Sequence, residues 1–324
     1  MIGILGGFGA VGSEVARILH QWGETSLRVG GRHPQPVAWA QSCYVDVSDE
    51  ESLMAFATDC RLIVNCAAPS ARLSQQVANR LHAAGIPLVD AGGIDCPAAL
   101  TPPVGRHPGS ACSQQAHCQV CPAFFLCGWR VSWAASMRCT AGLACLIVLP
   151  QAEQKTILRV CCARQPLSIP CRGDSPTSSC LSFHARCCCS RMKMRSRSGS
   201  EQLALRYSRW YLALDGEHLA RALETARVLP REAAIQAVVE GATLDVAGRH
   251  AWVNFLIQVD GVRQGTSTTL TLLLRAPGIA QLTAACAAAC AKWLLKSPEL
   301  VLGLAAECID IEAFMLLFCQ EQRY

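Results

Sequence analysis

The chain has 324 residues, 51% of them hydrophobic and only 16% charged, so it has room for two packed domains and is too apolar for a disordered protein. Its net charge of +5 is local: residues 1–95 carry −3, residues 96–200 carry +10 and residues 201–324 carry −2, which gives no reason to expect a nucleic-acid partner. The first apolar stretch breaks into glycines without a basic preamble, and no run has the roughly 20 apolar residues of a membrane span, so a cytoplasmic protein with no membrane partner is expected.

Ile2–Leu5 reads as a short buried strand, followed at once by Gly6-Gly7-Phe8-Gly9-Ala10-Val11-Gly12. From Ser13 to Trp22, Val15, Ile18 and Leu19 fall at the spacing of a helix face. A glycine pattern gains meaning from a strand before it and a helix after it, and this one has both. Gly7 is expected to make the tight turn, Gly9 to let the backbone approach a diphosphate, and Gly12 to let the helix pack against the strand. The first turn of such a helix offers N–H groups and a partial positive charge to phosphate. The alternative is a glycine-rich structural turn. The predicted unit is a Rossmann-type nucleotide-binding domain, with Gly7, Phe8, Gly9, Ala10, Val11 and Gly12 forming the phosphate cradle.

A second strand over Ser26–Gly30 ends in Gly31-Arg32-His33. An acidic residue here would bind the ribose 2′-hydroxyl of NAD, whereas the Arg32 guanidinium suits a 2′-phosphate, so NADP is expected in preference to NAD. Otherwise Arg32 is a solvated loop cation. Tyr44–Val47 reads as a third strand, with Asp46 placed to accept from an adenine amino group. Ser48-Asp49-Glu50-Glu51 caps and opens a helix. Leu62–Cys66 is a fourth, buried strand, with Cys66 a small core residue, and Ala67-Ala68-Pro69-Ser70 turns out of it leaving space for a cofactor ribose. Ser74–Ala84 is helical, and Pro87–Asp90 forms a fifth strand. Asp90 and Asp95 stand where that strand would meet a nicotinamide, as substrate-orienting groups or as carboxylates that fix the loop. The β-α-β alternation predicts a parallel α/β sheet with its ligand at the carboxyl ends of the strands.

Past residue 95 the pattern breaks. Of 21 cysteines, 14 lie between Cys96 and Cys189, and Glu153 and Asp174 are the only acids in residues 96–200. This anomalous Cys/Arg/Ser-rich segment reads best as translated out of frame relative to its flanks. A disordered basic linker and a genuine Cys-rich insertion are the competing readings, and the nucleotide-binding domain itself extends to about residue 125 if the segment is native. His117 with Cys118 and Cys121 supplies half of a zinc site, but no second C-x-x-C stands at useful spacing, so no metal is expected.

Periodicity returns at about residue 201. Leu219–Ala226 reads as a helix, and Ala251–Val259 and Gln264–Leu274 read as strands joined by a turn at Asp260-Gly261. Pro277-Gly278 leads into an Ala-rich helix to Leu295, long and apolar but carrying Gln281 and Lys292, which predicts a buried helix with Cys286 and Cys290 as core residues. Residues 201–324 thus form a second, α+β domain with a mixed or antiparallel sheet and C-terminal helices. Such a sheet serves as a substrate floor or a subunit interface, and a homodimer is the assembly it suggests.

The segments 4–12, Gly31-Arg32, Asp46-Val47-Ser48-Asp49, Val64-Asn65-Cys66-Ala67-Ala68-Pro69 and Val89-Asp90-Ala91-Gly92-Gly93 together resemble the saccharopine dehydrogenase-like family of NAD(P)-binding oxidoreductases. The resemblance covers residues 1–95 and returns weakly from about 201 to 315, at Gly303-Leu304-Ala305-Ala306-Glu307 and Asp310. It implies hydride transfer on a small-molecule substrate, amino-acid-derived or of imine type. It assigns no catalytic residue, because the stretch after Gly93 departs from the family. Rival dehydrogenase signatures are missing: none of Tyr44, Tyr207, Tyr211 and Tyr324 is followed four residues on by lysine. The alternative is an inactive cofactor-binding remnant with a disrupted middle.

Overall fold

The computed structural model describes residues 1–91, 115–117, 134–146, 190–191, 205–226, 228–263, 266–296 and 302–304. The chain divides into two compact units, the first comprising Met1–Gly128 and Ala280–Tyr324, the second Trp129–Ile279. Most of residues 96–200, with Asp95, Cys118 and Cys121, lie outside the described residues.

The first unit is an α/β layer around a parallel sheet. Its strands are β1 (Ile2–Leu5), β2 (Leu27–Gly31), β3 (Gln41–Tyr44), β4 (Leu62–Asn65), β5 (Leu88–Asp90), β6 (Gln115–His117) and, after the second unit, β12 (Leu302–Leu304). They stand in the order β12-β6-β5-β4-β1-β2-β3. Every residue of β1, β4 and β5 is buried, which is why these segments read as short unbroken apolar runs rather than alternating ones. Burial of a side chain such as Ile2, Ile4, Leu62 or Ile63 contributes about 1.5–3 kcal/mol each. Helices α1 (Ala10–Gln21), α2 (Glu50–Ala57) and α3 (Ser70–Ala83) supply the crossovers.

Three boundaries differ from expectation. Helix α1 begins at Ala10, inside the glycine motif, because Gly9 already has the extended backbone of an N-cap and its carbonyl accepts from Ser13 N–H at 3.0 Å. The third strand pairs through Gln41–Tyr44, not Tyr44–Val47. Val45 and Val47 are buried beyond its last residue pair; the Val45 N–H still donates to the Gly31 carbonyl at 3.1 Å, but the paired strand ends at Tyr44, so their alternation reported burial more than strand extent. Helix α3 starts at Ser70 rather than Ser74, leaving a shorter turn after β4. The α2 cap is as expected: the Asp49 carboxylate accepts from Ser52 N–H at 3.0 Å.

Helix α6 (Ile279–Lys296) is the predicted Ala-rich helix, with Ala284 to Ala291 buried throughout. Its Lys292 is explained by the first unit. The ammonium donates to the Trp22 carbonyl at the C-cap of α1, at 2.9 Å, and lies 5.6 Å from the Trp22 ring centroid. A cation at that end of a helix meets the partial negative charge of its last carbonyls. Among the described residues no helix is long and apolar enough to cross a membrane.

The second unit has a mixed sheet built from β7 (Ala134–Leu146), β8 (Ser190–Arg191), β9 (Leu205–Leu214), β10 (Trp252–Arg263) and β11 (Thr266–Ala276), in the order β11-β10-β7-β9-β8. Strands β7 and β9 run parallel, and the other neighbours antiparallel. The expected turn at Asp260-Gly261 is instead inside β10, which continues to Arg263, opposite Thr266. The register against β7 shifts between Asp260 and Val262, so the glycine marks an irregularity in the ladder rather than its end.

Among the described residues this unit also holds two helices, α4 (Glu217–Thr225) and α5 (Arg231–Val246), the second without a sequence expectation. They cross so closely that a Cβ on Gly241 would lie 2.8 Å from the His218 carbonyl oxygen. The N-cap of α4 is Gly216, which has no side chain to cap with. Asp245 of α5 supplies the cap instead: its carboxylate accepts from Leu219 N–H at 2.8 Å, His218 N–H at 3.1 Å and His218 Nδ1 at 2.8 Å.

Candidate functional site

The strand order reverses at β1, which pairs with β2 on one side and β4 on the other. The two connections leaving β1 and β4 therefore diverge, and their carboxyl ends open the crevice where α/β sheets bind ligands.

Gly6 makes the turn out of β1. It, and not Gly7, adopts the left-handed backbone, at φ +66°, where a side chain would be strained. A Cβ there would also lie 2.7 Å from the Cys66 carbonyl oxygen and 2.8 Å from the Ala67 Cα, so the two diverging loops touch at this glycine. Gly7 instead fixes the loop to β2, donating its N–H to the Gly30 carbonyl at 2.9 Å. Gly12 is buried, and a Cβ on it would run into the Gly6 carbonyl oxygen and lie 2.7 Å from the Gly7 Cα. Helix α1 thus presses its first turn directly onto the loop after β1, whereas the sequence places this glycine's close packing against the strand.

Gly9 differs from both. It is exposed, and among the described residues a Cβ on it would meet only the Gly6 carbonyl oxygen, at 3.2 Å. Gly9, as N-cap, brings no side chain of its own to cap α1, and the first turn carries no acid. The amides of Ala10, Val11 and Gly12 form that turn, beside an uncovered backbone, so the segment fits a diphosphate on both shape and charge. The Phe8 ring crosses to the end of β2, where a Cβ on Gly31 would lie 2.9 Å from it.

Arg32, exposed, follows β2 directly. Asp46 lies in the loop after β3, and its Oδ1 accepts from Ser48 N–H at 2.9 Å and Ser48 Oγ at 2.6 Å. Those two hydrogen bonds, helped by the Arg32 charge, hold its carboxyl below the ordinary carboxylate value. The geometry thus brings Arg32 and Asp46 into one electrostatic neighbourhood, with one Asp46 oxygen already committed to the loop.

On the far side of β1, Ala67 is buried while Ala68 and Pro69 are exposed at the crevice rim. Asp90 is wholly buried and accepts from Asn65 Nδ2 at 2.7 Å and Ser74 Oγ at 3.1 Å. Its hydrogen bonds to Asn65 and Ser74 make it an internal anchor between β5, β4 and α3. Asn65 and Ser74 escaped the sequence reading. The signal for Asn65 was its place, matched by Asp90, as the polar residue that ends one of two buried apolar runs, Leu62–Asn65 and Leu88–Asp90, which pair across the sheet; Ser74, inside α3, carries no such mark.

Neither a scan against protein-family models nor a search of curated proteins finds a match. Among solved structures, apo histidine-tagged saccharopine dehydrogenase (L-Glu forming) from Saccharomyces cerevisiae is similar over 99% of this chain and 97% of its own, with a TM-score of 0.58 and 10% identity. This chain therefore has a saccharopine dehydrogenase-like fold. Uronate dehydrogenase from Agrobacterium tumefaciens matches 28% of this chain and 39% of its own, at 17% identity and a TM-score of 0.24. An NADPH-dependent quinone oxidoreductase from Escherichia coli matches 28% and 34%, at 20% identity and a TM-score of 0.23. Those two likenesses are too partial to bear on the fold of the whole.

Proposed function

We propose that this chain is an oxidoreductase that binds NADP(H), in preference to NAD(H), and acts on an amino-acid-derived or imine-type small molecule. The observation that carries the reading is the exposed Gly9 at the N-terminus of α1, at the reversal point of a parallel sheet. The amides of Ala10, Val11 and Gly12 receive the diphosphate, and Arg32 pairs with the 2′-phosphate. Ala67, Ala68 and Pro69, all small or compact, leave room for the ribose beyond it. The bound nicotinamide would supply or accept the hydride, and the protein contributes position and exclusion of water. What supports the substrate class is the fold shared with saccharopine dehydrogenase together with the motifs of residues 1–95.

Fluorescence titration of the purified full chain with NADPH and NADH tests the coenzyme. Binding of NADPH at micromolar concentration or tighter supports the reading, and no binding of either coenzyme overturns it. Arg32→Ala should weaken NADPH by about tenfold or more and leave NADH within about twofold, because only NADPH carries the phosphate that the guanidinium pairs with. Equal weakening of both would remove Arg32 from the 2′-phosphate site. Coenzyme-dependent turnover of imino or amino acids tests the reaction, and binding without any turnover would favour the inactive remnant.

A further inference from the structure

Deep to the crevice, Asn65 and Asp90 are 1% and 0% exposed and stand opposite one another in the register of β4 and β5. The pair has a direction. A carboxylate offers only acceptors, so Asn65 must turn its amide nitrogen toward Asp90, and its Nδ2 lies 2.7 Å from Asp90 Oδ2. That fixes where the amide oxygen points. Asn65 Oδ1 accepts the Ala67 N–H at 3.1 Å, the first backbone donor of the turn after β4 beyond Cys66. Ser74, 2% exposed, holds the other Asp90 oxygen from α3 at 3.1 Å. One carboxylate thus orients one amide, which in turn sets the height of one backbone N–H. In a site this dry each such bond carries more weight than it would in water.

The position of Ala67 matters to the crevice. Its N and Cα lie 2.8 Å from where a Gly6 side chain would begin, so Ala67 cannot shift without the glycine turn feeling it. The strand order β3-β2-β1-β4-β5 puts Arg32 and Asp46 on one side of β1 and the Ala67–Pro69 turn on the other. A dinucleotide with its adenosine end at Arg32 and its diphosphate on α1 must carry its nicotinamide half toward β4.

We propose that Asn65 and Asp90 are positioning residues for the nicotinamide half of the coenzyme, acting through the Ala67 N–H and the turn it begins. The assignment rests on the NADP(H) reading above. Neither side chain touches the ligand. Their polarity sets the turn, so reversing it as a pair should leave the turn in place, whereas reversing one member alone should not.

The test compares the wild-type chain with Asn65→Asp and with the reciprocal double variant Asn65→Asp/Asp90→Asn. Each is titrated at pH 8 with NADPH and with adenosine 2′,5′-bisphosphate, which carries only the adenosine end. Asn65→Asp sets two carboxyl groups face to face, and the expected result is NADPH binding weakened about tenfold or more with the bisphosphate within about twofold of wild type. In the double variant the carboxylate now on β4 accepts from both the amide now on β5 and the Ala67 N–H. The oxygen of that amide accepts from Ser74, so NADPH affinity should return to within about twofold of wild type. Equal weakening of the two ligands in Asn65→Asp would reveal a merely structural role and overturn the proposal, as would unchanged NADPH binding. Where Asn65→Asp does not fold, the double variant decides: folded by circular dichroism yet poor in NADPH, it overturns the proposal. A wild-type chain that binds the bisphosphate but not NADPH also overturns it, while one that binds neither removes the coenzyme reading itself.

Discussion

Gly12→Ala is expected to remove both the stability of the first unit and its affinity for coenzyme. The added methyl would meet the Gly6 carbonyl and lie 2.7 Å from the Gly7 Cα, and neither is the movable end of a side chain. Helix α1 must then lift from the loop, opening the contact that aims its first-turn amides. Overpacking against backbone costs about 3 kcal/mol or more, which a urea midpoint would register, and NADPH affinity should fall about a hundredfold. Gly9→Ala is the control that gives this meaning. The Gly9 backbone, at φ −82°, suits alanine, and its Cβ would meet only one atom of the described residues, at 3.2 Å. Stability should stay within about 0.5 kcal/mol of wild type. The methyl nevertheless projects where the proposed diphosphate would approach, so NADPH should weaken about tenfold or more. If Gly9→Ala binds NADPH as wild type does, the diphosphate does not lie there.

Asp245→Ala should destabilise the second unit by about 2–4 kcal/mol, because the N–H groups of His218 and Leu219 and the His218 ring lose a shared acceptor at once. Burial pushes this carboxyl up, but the hydrogen bonds from Leu219 and His218 outweigh it and hold the group below its ordinary value. A carboxyl whose folded value is depressed stabilises the fold fully above the unfolded value, near 3.9, and loses that contribution as pH falls through the folded value. The urea midpoint of the wild-type chain should therefore drop below about pH 4, and Asp245→Asn should lack that part of the drop. A second consequence runs against ordinary capping rules. Serine is a favoured N-cap, yet Gly216→Ser should destabilise, because its Cβ would collide with the Asp245 carboxylate. An increase in stability would show that the cap from α5 is dispensable.

The local signals of the first unit were legible. Ile2–Leu5, the glycine turn and the α1 face lie within 22 consecutive residues, and each follows from the spacing of a few side chains. Where the reading slipped, one local pattern served two structures. Val45 and Val47 alternate as in a strand, yet the paired strand runs over Gln41–Tyr44 and ends before them. Asp260-Gly261 resembles a hairpin turn, yet the ladder runs on through it to Arg263. Helix α5 has no signature in the sequence because it buries Ala234, Val238, Gly241, Ala242 and Asp245, a face of mostly small residues and one acid that no strong apolar periodicity announces.

The sequence alone determined the strand–glycine–helix unit, the cation after β2 and the buried Ala-rich helix, since each depends on residues near one another in the chain. Tertiary structure decided the rest: that Gly6 rather than Gly7 takes the left-handed turn, that Asn65 finds Asp90, that Asp245 caps α4 and that Lys292 closes α1. Those partners are 25, 26 and 270 residues apart where they are side-chain pairs or caps. A buried donor or acceptor must find a mate wherever folding delivers one, and no local spacing records which residue that will be.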